Sequence, residues 1–264
     1  MANSVKSGDP EPRTVVLIPA RLRSERLPDK PLALIGGEPM IVLVWRRAME
    51  AEVGPVYVAC AEEAIAEAVE RAGGNAVMTD PALPSGTDRI FAALGTIDPE
   101  RRFRRVINLQ GDLPTVHPSC LRHVLEPLEL LGTDMGTLVF ATRDPRERED
   151  PNAVKAVVSF GEEHPELGRA LYFTRAACPW GEGPLWHHIG IYAFTREALE
   201  RFADLPRTPL EKRERLEQLR ALEHGMTIGA RLVDLLPFGV DTPDDLARAR
   251  SVLELGRPAA GGGR

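Results

Sequence analysis

A loop rich in basic residues follows the first apolar run of the chain. The run at residues 14–18 ("TVVLI") leads into Arg21, Arg23, Arg26 and Lys30, with prolines interspersed. Arginine and lysine side chains spaced in this way can surround a triphosphate with charge-assisted hydrogen bonds. Lys30 is one of four lysines among the 33 basic residues. Because the loop has neither a GxGxxG nor a GxxxxGK[ST] pattern, it is either an unfamiliar phosphate clamp or a solvated basic loop.

Two aspartates follow later strands and are candidate magnesium ligands. Asp112 comes after the run "RVINLQ" and beside Gly111, which permits a close approach of the backbone, and Asp241 lies in "FGVDTPDD". Proteins commonly hold Mg²⁺ with one or two carboxylates plus substrate phosphates. The alternatives are a turn-forming role for Asp112 and a place beside a helix cap for Asp241.

Two further segments carry polar groups that could contact a ligand. The run "PSGTDR" at residues 84–89 could bind a base or a phosphate, or it could cap a helix through Thr87 with Asp88 in the first turn. The run "HHIGIY" places His188 and Tyr192 on the same face of a strand. Either these two side chains line a polar cleft or His188 is an ordinary half-buried strand residue.

The elements that must position these residues alternate between strand and helix in the first half of the chain. This alternation predicts a parallel, doubly wound sheet, whose ligands bind beyond the carboxyl ends of the strands. The second half is β-rich and fits an antiparallel insertion or dimerisation lobe. Thr242 and Pro243 predict the N-cap and first residue of a final helix. Apolar periodicity predicts further helices in "PMIVLVWRRAMEA", "EEAIAEAVERAG", "SCLRHVLEPLELL" and "LEKRERLEQLRALEHG".

Composition excludes several classes of protein. The 264 residues include 43% hydrophobic ones, enough for one large α/β domain. The net charge of -6 argues against a general nucleic-acid surface, and no apolar run is long enough to span a membrane. The N-terminus lacks the apolar core of a secretory signal. Cys60, Cys120 and Cys178 are odd in number and widely spaced, so we expect no disulfide framework and a cytoplasmic protein.

Taken together in chain order, the motifs resemble those of the CMP-KDO synthetases, which are cytidylyltransferases that activate 3-deoxy-D-manno-octulosonate (KDO). The matching runs between about residues 14 and 250 include "IPARLRSERLPDKPL", "SGTDR", "NLQGD", "PNAVK", "HIGIY", "LEQLR" and "GVDTPDDL". The resemblance implies a Rossmann-like α/β nucleotidyltransferase with a mostly parallel central sheet. It further implies a single domain at 14–256 with a β-rich dimerisation lobe at about 135–195, and a homodimer. The sequences of the two ends themselves predict disordered tails at 1–13 and 257–264.

The resemblance also implies roles for individual residues. CTP and an acid acceptor would react in the presence of Mg²⁺, and an acceptor oxygen would displace pyrophosphate from the α-phosphorus directly. The implied catalytic residues are Arg21, Lys30, Asp112 and Asp241, and the two aspartates would be the metal ligands. The implied CTP-binding residues are Pro19, Ala20, Arg21, Arg26, Lys30, Ser85, Gly86, Thr87 and Gln110. The implied acceptor-binding residues are Gln110, Arg175, His188, Tyr192, Glu217 and Gln218. Arg23 receives no role.

Three departures from the family pattern concern the acceptor. Leu113 stands where the family has an acidic residue after "QGD", and Leu83 stands where it has a histidine. The connection "GEGPLWH" before "HIGIY" is also short. Loss of polar contacts fits a different or smaller acid. The expected acceptor is KDO, and the alternative is a small phosphonate such as phosphonoformate in phosphonate natural-product biosynthesis.

Overall fold

Apolar strands and amphipathic helices alternate along the chain in the computed structural model, which describes residues 14–24 and 26–255. The disordered tails predicted at 1–13 and 257–264 lie outside the described residues. The strands are β1 Thr14–Ala20, β2 Leu34–Ile35, β3 Glu38–Pro39, β4 Val56–Cys60, β5 Asn75–Met78, β6 Arg105–Asn108, β7 Met135–Thr142, β8 Lys155–Phe160, β9 Leu167–Thr174, β10 Leu185–Thr195 and β11 Ile228–Val233. The helices are α1 Met40–Met49, α2 Glu63–Arg71, α3 Gly86–Ile97, α4 Ser119–His123, α5 Glu126–Leu130, α6 Pro145–Glu149, α7 Arg196–Asp204, α8 Pro209–Glu214, α9 Gln218–Glu223 and α10 Pro243–Leu255, with a 3₁₀ turn at Lys30–Leu32.

The central sheet is mixed, with the strand order β5-β4-β1-β6-β10-β7-β11-β9-β8. Strands β5, β4, β1 and β6 run parallel, as do β7 and β11, whereas β10 is antiparallel to both β6 and β7. The prediction of a mostly parallel sheet therefore holds for the first half of the chain and is wrong for the sheet as a whole. The β-rich segment at 135–195 supplies β7 to β10, which continue the same sheet.

The core lies on both faces of the sheet, and strand β1 shows why. All seven residues of β1 are buried, as expected for a central parallel strand. Val16 and Ile18 pack on one face with residues of α1 and α2. Val15 and Leu17 pack on the opposite face with residues of α3 and α7. This alternation fixes the strand, so that its carboxyl end emerges at one defined edge of the sheet.

The helices differ from the predicted ones at three places, one at a cap and two where a predicted helix is divided. The side chain of Ser85, not that of Thr87, caps α3 by accepting the Asp88 amide at 3.1 Å. The helix predicted from "LEKRERLEQLRALEHG" is divided into α8 and α9, because Arg215 between them has a positive φ of 56°. The helix predicted from "SCLRHVLEPLELL" is likewise divided into α4 and α5.

The predicted cap of the last helix is confirmed. Thr242 Oγ1 accepts the Asp245 amide at 3.2 Å, and Pro243 is the first helical residue. In the part of the chain that the structure describes, no helix combines the length and the apolar character needed to cross a membrane.

Candidate functional site

A cleft of about 600 Å³ opens at the carboxyl ends of β1 and β6. Five segments contribute to it: the end of β1, the basic loop after it, the first turn of α3, the loop after β6 and the loop before α10. This is the edge of the sheet at which ligands of open α/β folds bind. The residues that line it are Pro19, Ala20, Arg21, Arg23, Ser24, Arg26, Lys30, Pro31, Ser85, Gly86, Arg89, Gln110, Gly111, Asp112 and Asp241.

Two glycines allow the segments to converge on the end of β1. A Cβ atom on Gly111 would lie 2.9 Å from the carbonyl oxygen of Pro19 and 3.2 Å from Ile41 Cδ1. A Cβ atom on Gly86 would lie 3.2 Å from Pro19 Cγ. The close approach at Gly111 brings the strand-following aspartate, Asp112, into the cleft, as the sequence predicted.

Lys30 lies between the two predicted metal ligands. Its Nζ atom is 2.7 Å from Asp112 Oδ2 and 2.9 Å from Asp241 Oδ1. Arg26 Nη2 is 3.0 Å from the other oxygen of Asp241. Burial works to lower the pKa of Lys30, but the charges and hydrogen bonds of the two aspartates outweigh burial and raise it. The lysine is therefore fully protonated at neutral pH and balances both carboxylates.

Asp112 and Asp241, the predicted magnesium ligands, lie close together in the cleft. Their oxygens converge on one cation, here the ammonium group of Lys30. No group of three or more His, Cys, Asp or Glu side chains within 14–24 and 26–255 could hold a metal. Mg²⁺ commonly takes one or two carboxylates and completes its shell with water and substrate phosphate oxygens. Asp112 and Asp241 fit that type of site.

The cations of the basic loop differ in their surroundings. Arg21 and Arg23 are exposed at the cleft and form no ion pair with any described carboxylate, so both are available to an anion. Arg89, which sequence reasoning did not single out, also lines the cleft but is 2% exposed. Its Nη1 donates to Thr79 Oγ1 at 2.5 Å and to the Asp80 carbonyl at 3.2 Å, whereas Nη2 has no partner among the described residues. Burial, despite the charge of Glu62, lowers the pKa of Arg89.

Gln110 connects the cleft to a chain of hydrogen bonds. Its Nε2 donates to Asn108 Oδ1 at 3.2 Å, and Asn108 Nδ2 donates to Thr87 Oγ1 at 3.4 Å. Thr87 Oγ1 in turn donates to Glu217 Oε2 at 2.7 Å. Thr87 is buried and does not line the cleft, so it lies behind the cleft-lining residues and joins them to Glu217, directly before α9.

His188 and Tyr192 lie together on β10, away from the cleft lining. Their ring centroids are 5.5 Å apart, and His188 Nε2 is 3.0 Å from Thr137 Oγ1. Burial, followed by the charge of His187, lowers the pKa of His188 to about 3. Burial, followed by the charge of Glu217, raises the pKa of Tyr192. Both side chains are therefore neutral at physiological pH.

The other predicted acceptor residues also lie outside the cleft lining. Arg175 Nε donates to the Glu214 carbonyl and Nη1 to the Pro151 carbonyl, both at 2.8 Å. Gln218 is 4% exposed, and its Nε2 has no partner among the described residues. Of the predicted acceptor set, the structure thus brings Gln110 into the cleft lining, joins Glu217 to it through Thr87, and leaves the other four residues outside the lining.

The two leucines that depart from the family pattern do not line the cleft either. Leu113 is 7% exposed and packs in the core against α1 and α4. Leu83 is half-buried, in a turn where its amide donates to the Asp80 carbonyl at 3.2 Å. Neither departure from the family pattern therefore falls on a residue of the cleft lining.

Comparison with known proteins gives one consistent result. A family profile described as cytidylyltransferase matches residues 15–228. Proteins of Parvibaculum lavamentivorans and Rhodospirillum centenum, both named 3-deoxy-manno-octulosonate cytidylyltransferase, are 59% and 58% identical to this chain. These matches cover 90% and 91% of this chain and 92% and 93% of the relatives.

Solved structures agree with these relatives. A structure of CMP:2-keto-3-deoxy-manno-octonic acid synthetase complexed with CTP matches with a TM-score of 0.85 and 34% identity, covering 93% of this chain and 100% of that one. A 4-diphosphocytidyl-2C-methyl-D-erythritol synthase from Anaerococcus prevotii matches with a TM-score of 0.59 and 12% identity, which shows a shared fold alone.

Proposed function

The chain belongs to the cytidylyltransferase family, and from this premise we propose that it transfers the cytidylyl group of CTP to KDO and releases pyrophosphate. The observation that carries the proposal is the position of Lys30 between Asp112 and Asp241, in the cleft beyond the carboxyl ends of β1 and β6. These are the groups that a triphosphate and its metal ion require. The identity to named KDO cytidylyltransferases over nine tenths of the chain supports the acceptor. No such support exists for the phosphonate alternative.

The reaction follows from the charges around the cleft. Arg21, Arg26 and Lys30 would bind the phosphate oxygens of CTP and hold the α-phosphorus in place. An acceptor oxygen would form a bond to this phosphorus while the bond to the pyrophosphate oxygen breaks, in line with it. The developing charge on pyrophosphate would be stabilised by the same cations. A bound Mg²⁺ ion, held by Asp112 and Asp241, would supply further neutralisation of the triphosphate.

The remaining cleft residues would select the base and orient the ribose. Ser85 and Gly86 in the first turn of α3, the main chain at Pro19 and Ala20, and the amide of Gln110 present fixed donors and acceptors on one wall. Fixed donors and acceptors discriminate strongly between bases, because a mismatched base leaves buried polar groups without partners. We therefore expect CTP to be preferred over UTP and ATP.

We further propose that the enzyme is a cytoplasmic homodimer that depends on Mg²⁺. The dimer and the location rest on the family resemblance, and the metal on the paired aspartates. Light scattering after size exclusion would give the mass of the particle, and a mass near 29 kDa would contradict the dimer. Full turnover after exhaustive chelation would contradict the metal requirement.

A pyrophosphate-release assay tests the proposed function directly. The purified enzyme is incubated with Mg²⁺ and each of the four nucleoside triphosphates, with KDO, phosphonoformate or no acid added. We expect release with CTP and KDO together, and the new phosphodiester is identified by mass spectrometry. Release with phosphonoformate but not with KDO would refute the acceptor, and silence in every combination would refute the reaction.

A further inference from the structure

The main chain of the basic loop is held to the domain by the carboxylate of Glu62. The Leu22 amide donates to Glu62 Oε2 at 2.9 Å, across 40 positions of sequence. Leu22 lies between Arg21 and Arg23, two exposed cleft arginines that form no ion pair within the described residues. No other main-chain amide of the loop at 21–28 donates a hydrogen bond within the described part of the chain. The main-chain amide hydrogen bonding of the loop near these arginines therefore comes from one side chain.

Glu62 is at the N-cap position of α2, but its side chain does not cap the helix. The residue is the N-cap of α2, with an extended backbone, and yet its carboxylate makes no capping hydrogen bond. Its main-chain carbonyl accepts from Ile65 at 3.1 Å and Ala66 at 3.5 Å, which starts the helix without help from the side chain. Serine, threonine, aspartate and asparagine are the preferred N-caps. The carboxylate at position 62 thus serves the loop rather than the helix.

The charge of Glu62 is unfavourable for the ligand of this cleft. A carboxylate beside a triphosphate site repels the triphosphate, so a purely electrostatic role would weaken nucleotide binding. A carboxylate that fixes the loop has the opposite effect, because ordering the loop before binding reduces the entropy that the ligand must supply. The two roles therefore predict opposite signs when the side chain is removed.

We propose that Glu62 is a positioning residue for nucleotide binding, which holds the Leu22 amide so that Arg21 and Arg23 face the cleft before CTP arrives. This inference rests on the proposed function for the identity of the nucleotide. The anchoring itself is a property of the free protein. Leu22 contributes a second contact, because its side chain packs against the core that α1 and α2 share.

Three variants separate the hydrogen bond from the charge. Glu62→Ala removes both, Glu62→Gln keeps an oxygen acceptor without the charge, and Glu63→Ala removes an exposed carboxylate one residue further along as a matched control. The affinity for CTP in the presence of Mg²⁺ is measured by calorimetry. Exchange of the amides at 21–28 is measured by mass spectrometry in the free protein. Thermal unfolding checks that each variant is folded, and we expect small shifts because the helix cap does not use this carboxylate.

We expect Glu62→Ala to bind CTP about tenfold more weakly, the lower end of what a hydrogen bond to a charged group contributes. The loop amides should exchange faster in Glu62→Ala, whereas Glu62→Gln and Glu63→Ala should stay within about twofold of the wild type in both measurements. If Glu62→Ala and Glu62→Gln both bind CTP more tightly, Glu62 acts as a charge alone and the inference is wrong. Unchanged loop exchange in Glu62→Ala also overturns it. Failure of the wild type to bind CTP would instead refute the proposed function, since the exchange measurement reports on the anchor without any nucleotide.

Discussion

The ammonium group of Lys30 lies between the two aspartates that we propose as metal ligands, and this predicts that its removal strengthens metal binding to the free protein. Nζ lies 2.7 Å from Asp112 and 2.9 Å from Asp241, so an incoming ion must replace both contacts. The carboxylates are 30% and 44% exposed, so each contact contributes about 1 kcal/mol, at the low end for charged groups. Removing both contacts of the lysine gives about 2 kcal/mol, or about 30-fold tighter binding.

The variant for this test is Lys30→Met, which keeps the length of the side chain without its charge. Mn²⁺ replaces Mg²⁺, and the signal of free Mn²⁺ in electron paramagnetic resonance measures binding in the absence of nucleotide. Lys212→Met is the matched control, since Lys212 is exposed on α8 and far from the two aspartates in sequence. We expect Lys30→Met to bind Mn²⁺ about 30-fold more tightly than the wild type, and Lys212→Met to match the wild type.

The same variant should lose activity while it gains metal affinity. Removing one cation that faces the transferred phosphate typically costs about 10²-fold or more in kcat. If Lys30 serves only to hold the aspartates in a structural ion pair, Lys30→Met lowers the melting temperature and leaves Mn²⁺ affinity unchanged. Mn²⁺ binding that is no tighter in Lys30→Met than in the wild type, with the fold intact, would refute the reasoning.

Three further predictions concern the cleft and its surroundings. Asp112→Asn should reduce pyrophosphate release by about 10³-fold with little change in thermal unfolding, because the residue is partly exposed; retained turnover would exclude it as a metal ligand. Arg26→Ala should raise KM for CTP about tenfold in a steady-state assay, because it removes a proposed phosphate contact and the ion pair with Asp241. Arg23 has no ion-pair partner in the described part of the chain, so Arg23→Ala should raise KM less in the same assay. The pKa of His188 is lowered to about 3 in the folded protein, so on acidification the unfolded chain binds a proton at this histidine before the folded chain does. The free energy of unfolding should therefore fall by up to about 1.4 kcal/mol per pH unit from pH 6.5 towards pH 3. Urea denaturation at several pH values should show a shallower slope in His188→Gln, and an equal slope would contradict the burial argument.

Much of the fold can be predicted from apolar patterns, but strand partners cannot. The run that became β1 is buried on both faces, and its uninterrupted apolar character identifies a central strand. The runs that became β7 and β10 have a similar composition, yet β10 pairs antiparallel with β6 and β7. Whether two strands pair parallel or antiparallel depends on the path of the whole chain, and the residues of such apolar runs do not indicate it. The break between α8 and α9 at Arg215 could not be predicted for a related reason. Arginine has no local preference for a positive φ, so the conformation of Arg215 is determined by tertiary contacts.

The cleft shows the same division between local and tertiary signals. Asp112 lies 82 positions and Asp241 lies 211 positions after Lys30 in the sequence. The sequence nevertheless predicts that the three residues meet, because each follows a strand or precedes a helix at the same edge of the sheet. Arg89 and Glu62 were missed. Their sequence contexts are a helix first turn and a helix cap, where charged residues are common for other reasons. Their roles depend on burial and on a partner 40 positions away, which only the folded chain reveals.

The connection between Gln110 and Glu217 bears on how acceptor recognition should be understood. Thr87 donates to Glu217 at 2.7 Å and accepts from Asn108 at 3.4 Å, so a single hydroxyl joins α9 to the strand that precedes Gln110. Thr87 also belongs to the first turn of α3, directly after Ser85 and Gly86, which line the cleft. Hydrogen-bonded groups in one buried network affect one another, and their contributions do not separate. A change at Glu217 would therefore disturb the nucleotide wall of the cleft along with any contact to KDO. Kinetic effects of such a change become evidence for acceptor binding only when the affinity for CTP alone is measured beside them.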